Sequence, residues 1–353
     1  MSRTRVLVLA GGQSDEHEVS IISANSLLAA IDGSSLEATP VVITRAGKWL
    51  SPSESLLALQ AGGAGHLQGR GILEQAKLVA DYDVVFPLLH GPRGEDGTVQ
   101  GMLELAGIPY VGSGVLASAS CMDKIATKTI LRAHGIPHLE AQLITRHEWQ
   151  TGREETVQRC RKLRPPWFVK PANLGSSVGI SKAHDERELV VAIDLAARYD
   201  RRIMVEQALS SPRELEVAVL GNDLPEASPV GEISYDSDWY DYETKYTDGR
   251  ARLHIPAPLD GALAHRTREL AIAAFRALDC AGFARADFFH DAISGTLYLN
   301  ELNTIPGFTP YSMFTKLWDH AGLSYPELVQ RLVTLALDRH AERSVPAVDR
   351  RQG

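Results

Sequence analysis

Cysteine is scarce. The 353 residues contain only Cys121, Cys160 and Cys280, far apart and without a CxxC pair. That spacing argues against a disulfide framework or a thiolate zinc site and fits a reducing compartment. Long apolar runs are missing too: none approaches the roughly 20 residues that span a bilayer. The run Val6–Leu9, after Arg3 and Arg5, stops at Gly11-Gly12 and is too short for a signal segment. A cytoplasmic protein with no membrane partner is therefore expected. No long basic run occurs, and 36 Lys+Arg against 44 Asp+Glu leave a net charge of −8, so no nucleic-acid partner is expected. Neither GxGxxG nor the Walker A pattern is present, which removes the usual signals of a dinucleotide fold and of a P-loop.

What is present is a chain of 353 residues with 44% hydrophobic content, too long for one ordinary core and suited to two or three lobes. The first third alternates strand and helix signals. Val6–Leu9, Val41–Ile43 and Val84–Phe86 are continuous apolar runs typical of buried strands, and Ile108–Val111 reads as a short fourth. A helical pattern spans Glu16–Ile31, so βαβ units and a parallel sheet follow. Lys48–Ala80, rich in Ala, Gly and Leu, has no sharp periodicity and reads as an insertion.

Further on, Met122–His134 reads as a helix ending at Gly135 with Pro137 beyond. Strand patterns at Trp167–Lys170 and Ile203–Glu206 flank a helix over Glu186–Tyr199. Leu215, Val217 and Val219 alternate with Glu216 and Ala218, as in a half-exposed strand. Ser234–Arg252 is polar and aromatic, a long-loop pattern of the kind that forms lids. A helix over Glu327–His340 closes the chain.

Four polar islands stand where chemistry could reside. Lys170 ends a strand and precedes Gly175-Ser176-Ser177-Val178-Gly179. Such a loop offers N–H groups and hydroxyls to phosphate oxygens, although by itself it also reads as a plain hairpin. The strands 282–289 and 298–304 are joined by a short loop containing Gly295. As a three-residue hairpin, this places Asp287 opposite Glu301 and Arg285 opposite Asn303 on one face. Two carboxylates and a carboxamide make an oxygen-rich site suited to Mg²⁺, or simply an exposed salt-bridged hairpin. The turn Pro306-Gly307 follows directly, and its N–H with Arg285 could serve an oxyanion. The remaining islands, Gly11–Ser20 and His90–Gly97, follow the first and third strands, where open α/β sheets bind ligands.

Taken in order, the segments GGQSDEHEVS (11–20), HGPRGEDG (90–97), MDK (122–124), VKPANLGSSVGI (169–180), YDYETKY (240–246), GFARADFF (282–289) and NELNTIPGFTPYS (300–312) make the chain similar to the D-alanine–D-alanine ligases. The resemblance implies an α/β protein of ATP-grasp fold with three lobes. These are an N-terminal parallel, Rossmann-like lobe (1–112), a central lobe (113–212) and a C-terminal lobe (213–353) with a lid at 234–252. The two later α+β lobes would clamp ATP.

The resemblance also implies roles. Lys124 and Lys170 touch nucleotide phosphates, with Ser176, Ser177 and Lys245 also on the nucleotide. Glu206 and Leu209 lie at the adenine edge and Glu214 at the ribose. Asp287, Glu301 and Asn303 hold two Mg²⁺ ions, for which Mn²⁺ can substitute. Glu16 takes the ammonium of the first D-alanine, and His90 lies near its carboxylate. Arg285 and Gly307 stabilise the oxyanion, while Ser312, with Lys245 and beside Met313, holds the second substrate. Tyr246 closes a chain Tyr246–Ser176–Glu16 between lid and N-terminal lobe, and a tyrosine there favours the dipeptide over an ester. Gln207 departs from a lysine that some members carry. A homodimer and peptidoglycan precursor synthesis are further implications. The rival readings are a D-alanine–D-lactate or D-alanine–D-serine ligase, a non-catalytic ATP-grasp nucleotide-binding protein, and a Rossmann dehydrogenase.

Overall fold

The computed structural model describes residues 3–31, 34–65, 67–175, 178–235 and 251–343. Its first sheet is parallel, in the order β2-β1-β3, with β1 at Thr4–Gly11, β2 at Leu36–Ile43 and β3 at Val84–Pro87. The central β1 is apolar and fully buried from Val6 to Ala10, as a strand covered on both faces must be. The expected fourth strand at 108–111 is reduced to a single parallel bridge, Val85 to Tyr110. Lys48–Ala80 is not a structureless insertion. It folds as helices Pro52–Gln60 and Ile72–Val79, and Trp49 bridges to both Ile43 and Arg70. The signal was local: Ser51 and Glu54 form a capping box ahead of Pro52.

A four-stranded antiparallel sheet follows, ordered β4-β7-β5-β6, with β4 at Ala141–Thr145, β5 at Trp167–Pro171, β6 at Ser181–Ala183 and β7 at Arg202–Gln207. It carries its own core, including Trp149, Val169, Ile193 and Val205. The helix expected over Met122–His134 begins at Lys124, because Asp123 is its N-cap and accepts from the N–H groups of Ile125 and Ala126. A separate helix, Val115–Met122, precedes it.

The third sheet is antiparallel, ordered β10-β9-β8-β11-β12, with β8 at Arg213–Gly221, β9 at Glu226–Tyr235, β10 at Ala251–His254, β11 at Gly282–Asp291 and β12 at Thr296–Asn303. Strand β8 is central rather than half-exposed. Leu215, Val217 and Val219 pack on the helix Gly261–Ala277 side, whereas Ala218 and Leu220 join the core of the first lobe. That shared core is aromatic at its centre, where Phe86 lies 5.5 Å from Phe308 and Phe283 5.5 Å from Phe314. The closing helix Tyr325–Arg343 contributes Leu328 and Leu332 to it. The first and third sheets thus share one core, and the middle sheet packs by itself. The ends of the expected loop 234–252 are paired strand, Ser234 with Arg252 and Tyr235 with Ala251; residues 236–250 lie outside the described residues.

Candidate active site

The loops after β1 and β3 are neighbours because those strands pair, Leu9 beside Pro87. The buried Ser20 ties them together, accepting from the Gly11 N–H at 2.7 Å and donating to the Leu88 carbonyl. Gly11 is glycine of necessity: its φ is +82°, and a Cβ would stand 2.3 Å from the Ile43 carbonyl oxygen. Gly94 is equally constrained, since a Cβ there would meet the Leu89 carbonyl oxygen at 2.3 Å.

This tight turn pair presents Glu16 beside Gly91 and Gly175, in a cavity also lined by Ser14 and Leu174. His90 is buried, and its Nδ1 pairs with the Ile305 carbonyl at 3.0 Å. Its Nε2 is buried and has no hydrogen-bond partner among the described residues. Burial holds its pKa below the ordinary 6.5, although Glu16 opposes that shift. Glu95 accepts from the Gly91 N–H at 2.9 Å. Burial and the nearby Glu16 push its carboxyl up to about 8.

Lysines come from two elements, Lys124 and Lys128 from the helix Lys124–Ala133 and Lys170 from β5 of the middle sheet. Lys124 donates to the Leu174 carbonyl at 2.6 Å, and its own N–H reaches Ala172. Lys170 on β5 lies 2.8 Å from Glu206 on β7, and Lys128 lies 2.5 Å from the other oxygen of the same carboxylate. Burial alone would raise Glu206, but the two ammonium groups outweigh it and hold it at about 2. Lys128 was not singled out from the sequence, although it stands one helical turn beyond Lys124. Leu209 follows β7 and is half-buried. Glu214 on β8 accepts from the Tyr235 hydroxyl at 2.5 Å.

The hairpin β11–β12 sets Asp287 opposite Glu301 and Arg285 opposite Asn303, the expected register, by a different route. Its loop has four residues, 292–295, between the paired Asp291 and Thr296, and a bulge between Asp287 and Phe288 restores the alignment. Gly295 does take the left-handed conformation, with φ +68°. Arg285 grips Asp287 with two contacts of 2.7 Å and lies 3.1 Å from Glu216. Burial disfavours the guanidinium charge, but Asp287 and Glu216 outweigh it and raise its pKa well above the ordinary value. Asn303 donates to Asp287 at 2.8 Å.

Glu301 and Asn303 line a narrow cleft with Glu95, Lys124 and Gly175. The donor set is two carboxylates and a carboxamide, all oxygen, which fits a hard cation such as Mg²⁺. No group of three or more His, Cys, Asp or Glu suited to a metal occurs among the described residues. Gly307 precedes Ser312, the N-cap of helix Met313–His320, whose Oγ accepts from the Thr309 N–H at 3.1 Å. Met313 is buried against Gly231. Ser176, Ser177, Lys245 and Tyr246 lie outside the described residues.

Lys170 on one antiparallel sheet, Lys124 at the start of a helix, and the acid pair on another sheet, with a cleft lined by Lys124, Glu301 and Asn303, define a nucleotide-clamping ligase of the ATP-grasp class. Family models described as "D-ala D-ala ligase N-terminus" and "D-ala D-ala ligase C-terminus" match residues 5–113 and 130–334. The chain belongs to the D-alanine–D-alanine ligase family. A D-alanine–D-alanine ligase of Deinococcus radiodurans is 56% identical over 95% of this chain and 99% of its own. One from Chloroherpeton thalassium is 46% identical over 98% of this chain and 99% of its own. Among solved structures, the D-alanine–D-alanine ligase of Coxiella burnetii superposes with a TM-score of 0.81 at 36% identity, covering 97% of this chain and 96% of its own. The VanG D-Ala:D-Ser ligase of Enterococcus faecalis gives 0.81 at 34% identity over 95% of this chain and 99% of its own. The family model thus includes the stretch 48–80, which the sequence motifs had left out. No helix of the described residues is long and apolar enough to cross a membrane.

Proposed function

We propose that the chain joins two D-alanines into D-alanyl-D-alanine, with ATP cleaved to ADP and phosphate, as a step in peptidoglycan precursor synthesis. The observation that carries this is the β11–β12 face, where Arg285, Asp287, Glu301 and Asn303 converge beside Lys124. The same fold serves a D-serine ligase, so overall shape does not choose the second substrate. The relative at 56% identity bears the D-alanine name, and Tyr246 in the lid argues the same way.

Glu16 binds the first ammonium, and the substrate carboxylate attacks the γ-phosphate to give an acylphosphate. Lys124 and Lys170 bind the phosphates, with Ser176, Ser177 and Lys245 completing the nucleotide site. Leu209 and the backbone beside Glu206 border the adenine, and Glu214 the ribose. Asp287, Glu301 and Asn303 would hold two Mg²⁺ ions, or Mn²⁺ in their place, which when bound neutralise the transferring phosphoryl group. His90 stays neutral near the first carboxylate, so it adds no competing charge. The second D-alanine is held through Ser312, Met313 and Lys245. Its amine attacks, and Arg285 with the Gly307 N–H stabilises the tetrahedral oxyanion. The lid 234–252, carrying Tyr246 toward Ser176 and Glu16, excludes water that would hydrolyse the intermediate.

The lobes 1–112, 113–212 and 213–353, a homodimer and a cytoplasmic location complete the reading. Its test is phosphate release with ATP and Mg²⁺, comparing D-alanine alone, L-alanine alone, and D-alanine with D-lactate or D-serine. D-alanine alone is expected to suffice and to give dialanine by mass. Release that depends on D-lactate or D-serine would replace the second substrate, and no release at all would leave a non-catalytic clamp.

A further inference from the structure

One buried carboxylate faces the reaction machinery without a part in it. Glu216 lies on β8, and the strand registers align Glu216 with Asp287 and Asp287 with Glu301 across three neighbouring strands. Residues in register share a face, so three carboxylates form a row there. One guanidinium serves two of them. Arg285 contacts Asp287 at 2.7 Å and Glu216 at 3.1 Å, with side-chain exposures of 22%, 14% and 7% for Arg285, Asp287 and Glu216.

Asp287 has a competing task. A carboxylate that turns to a divalent cation loosens its hold on a guanidinium, and the cation repels that guanidinium as well. Arg285 then needs a second anchor if it is to stay where the oxyanion forms. We propose that Glu216 is a positioning residue for the ligation step, holding the Arg285 guanidinium in place when Asp287 engages metal. This rests on the proposed assignment of Asp287 as a metal ligand and Arg285 as oxyanion partner. Without the Glu216 charge, Arg285 leans more heavily on Asp287, so metal binding must displace it and becomes weaker. An Arg285 that is displaced is then misplaced for ligation.

The test uses the full chain. Wild-type protein is first shown to make dialanine, since failure there would overturn the proposed function and not this inference. Glu216→Gln keeps the volume and removes the charge. In the presence of ADP its Mn²⁺ affinity, read by electron paramagnetic resonance of free Mn²⁺, is expected to fall about tenfold, the order of effect of losing one partly buried ion-pair contact. ADP affinity without metal is expected to be unchanged, and kcat to fall in parallel with metal binding. In an Arg285→Lys background the same change is expected to add little, because Glu216 acts through Arg285. Glu216→Asp, which keeps the charge, is expected to recover more Mn²⁺ affinity than Glu216→Gln and covers the case in which the glutamine variant does not fold. Wild-type Mn²⁺ affinity in Glu216→Gln, a full additive loss on top of Arg285→Lys, or equal behaviour of the Asp and Gln variants would each overturn the proposal. A lowered melting temperature with unchanged metal binding would reduce Glu216 to a structural ion pair.

Discussion

Glu206→Gln tests the electrostatics of the lysine wall. The carboxylate lies 2.5 Å from Lys128 and 2.8 Å from Lys170, and the side chains are 1%, 5% and 10% exposed for Glu206, Lys128 and Lys170. Its displacement from an ordinary 4.5 to about 2 corresponds to about 3 kcal/mol of folding stability. Removing one partner of a buried ion pair costs roughly 3–5 kcal/mol by mutational precedent, so two routes agree on the size. The sign follows from the depressed value: this stability is full above the unfolded carboxyl pKa near 4.5 and is lost as the pH falls toward 2. Glutamine leaves two buried ammonium groups facing one another. At 2–4 °C per kcal/mol the melting transition should drop by roughly 6–20 °C at pH 7. The double variant Glu206→Gln/Lys128→Met leaves one lysine facing a carboxamide and should recover part of the loss. Calorimetry without nucleotide measures both. A loss below about 1 kcal/mol, or a double variant less stable than the single one, would refute the reasoning.

Asp287→Asn or Glu301→Gln should lower turnover by about a thousandfold or more while leaving the circular dichroism unchanged; retained activity would remove both from the metal set. Tyr246→His should shift use toward D-lactate in a competition assay with D-alanine, and an unchanged preference would show that the lid does not select the second substrate. Glu95 releases its proton near 4.5 when unfolded and near 8 when folded, so it weakens the fold progressively as pH rises between those values. In ligand-free protein the melting temperature of Glu95→Gln should gain on the wild type from pH 5 to pH 8. An advantage of the same size at both pH values would contradict the assignment.

The local signals in this chain were reliable where one element dictated the outcome. The buried runs of β1 and β3, and the helix Glu186–Tyr199, follow directly from apolar pattern and N-caps. The pairing of Asp287 with Glu301 was legible too, although two departures had to cancel: a longer loop and a bulge, neither of which side-chain alternation reports. What was not legible depended on sheet order. Glu216 looked half-exposed because nothing local says that β8 lies between β9 and β11, or that Arg285 covers its outer face. Lys128 escaped for a related reason, since its partner Glu206 is distant in sequence. The helices within 48–80 were missed because each is short; Trp49 and the Ser51 cap, rather than periodicity, fix them.

The most direct test of the central claim follows oxygen. D-alanine labelled with ¹⁸O in its carboxylate is incubated with the full chain, ATP and Mg²⁺, and dipeptide and phosphate are both weighed. Ligation through an acylphosphate predicts dialanine and one ¹⁸O in the phosphate for each peptide bond formed. Unlabelled phosphate alongside dipeptide, or labelled phosphate without dipeptide, would contradict it.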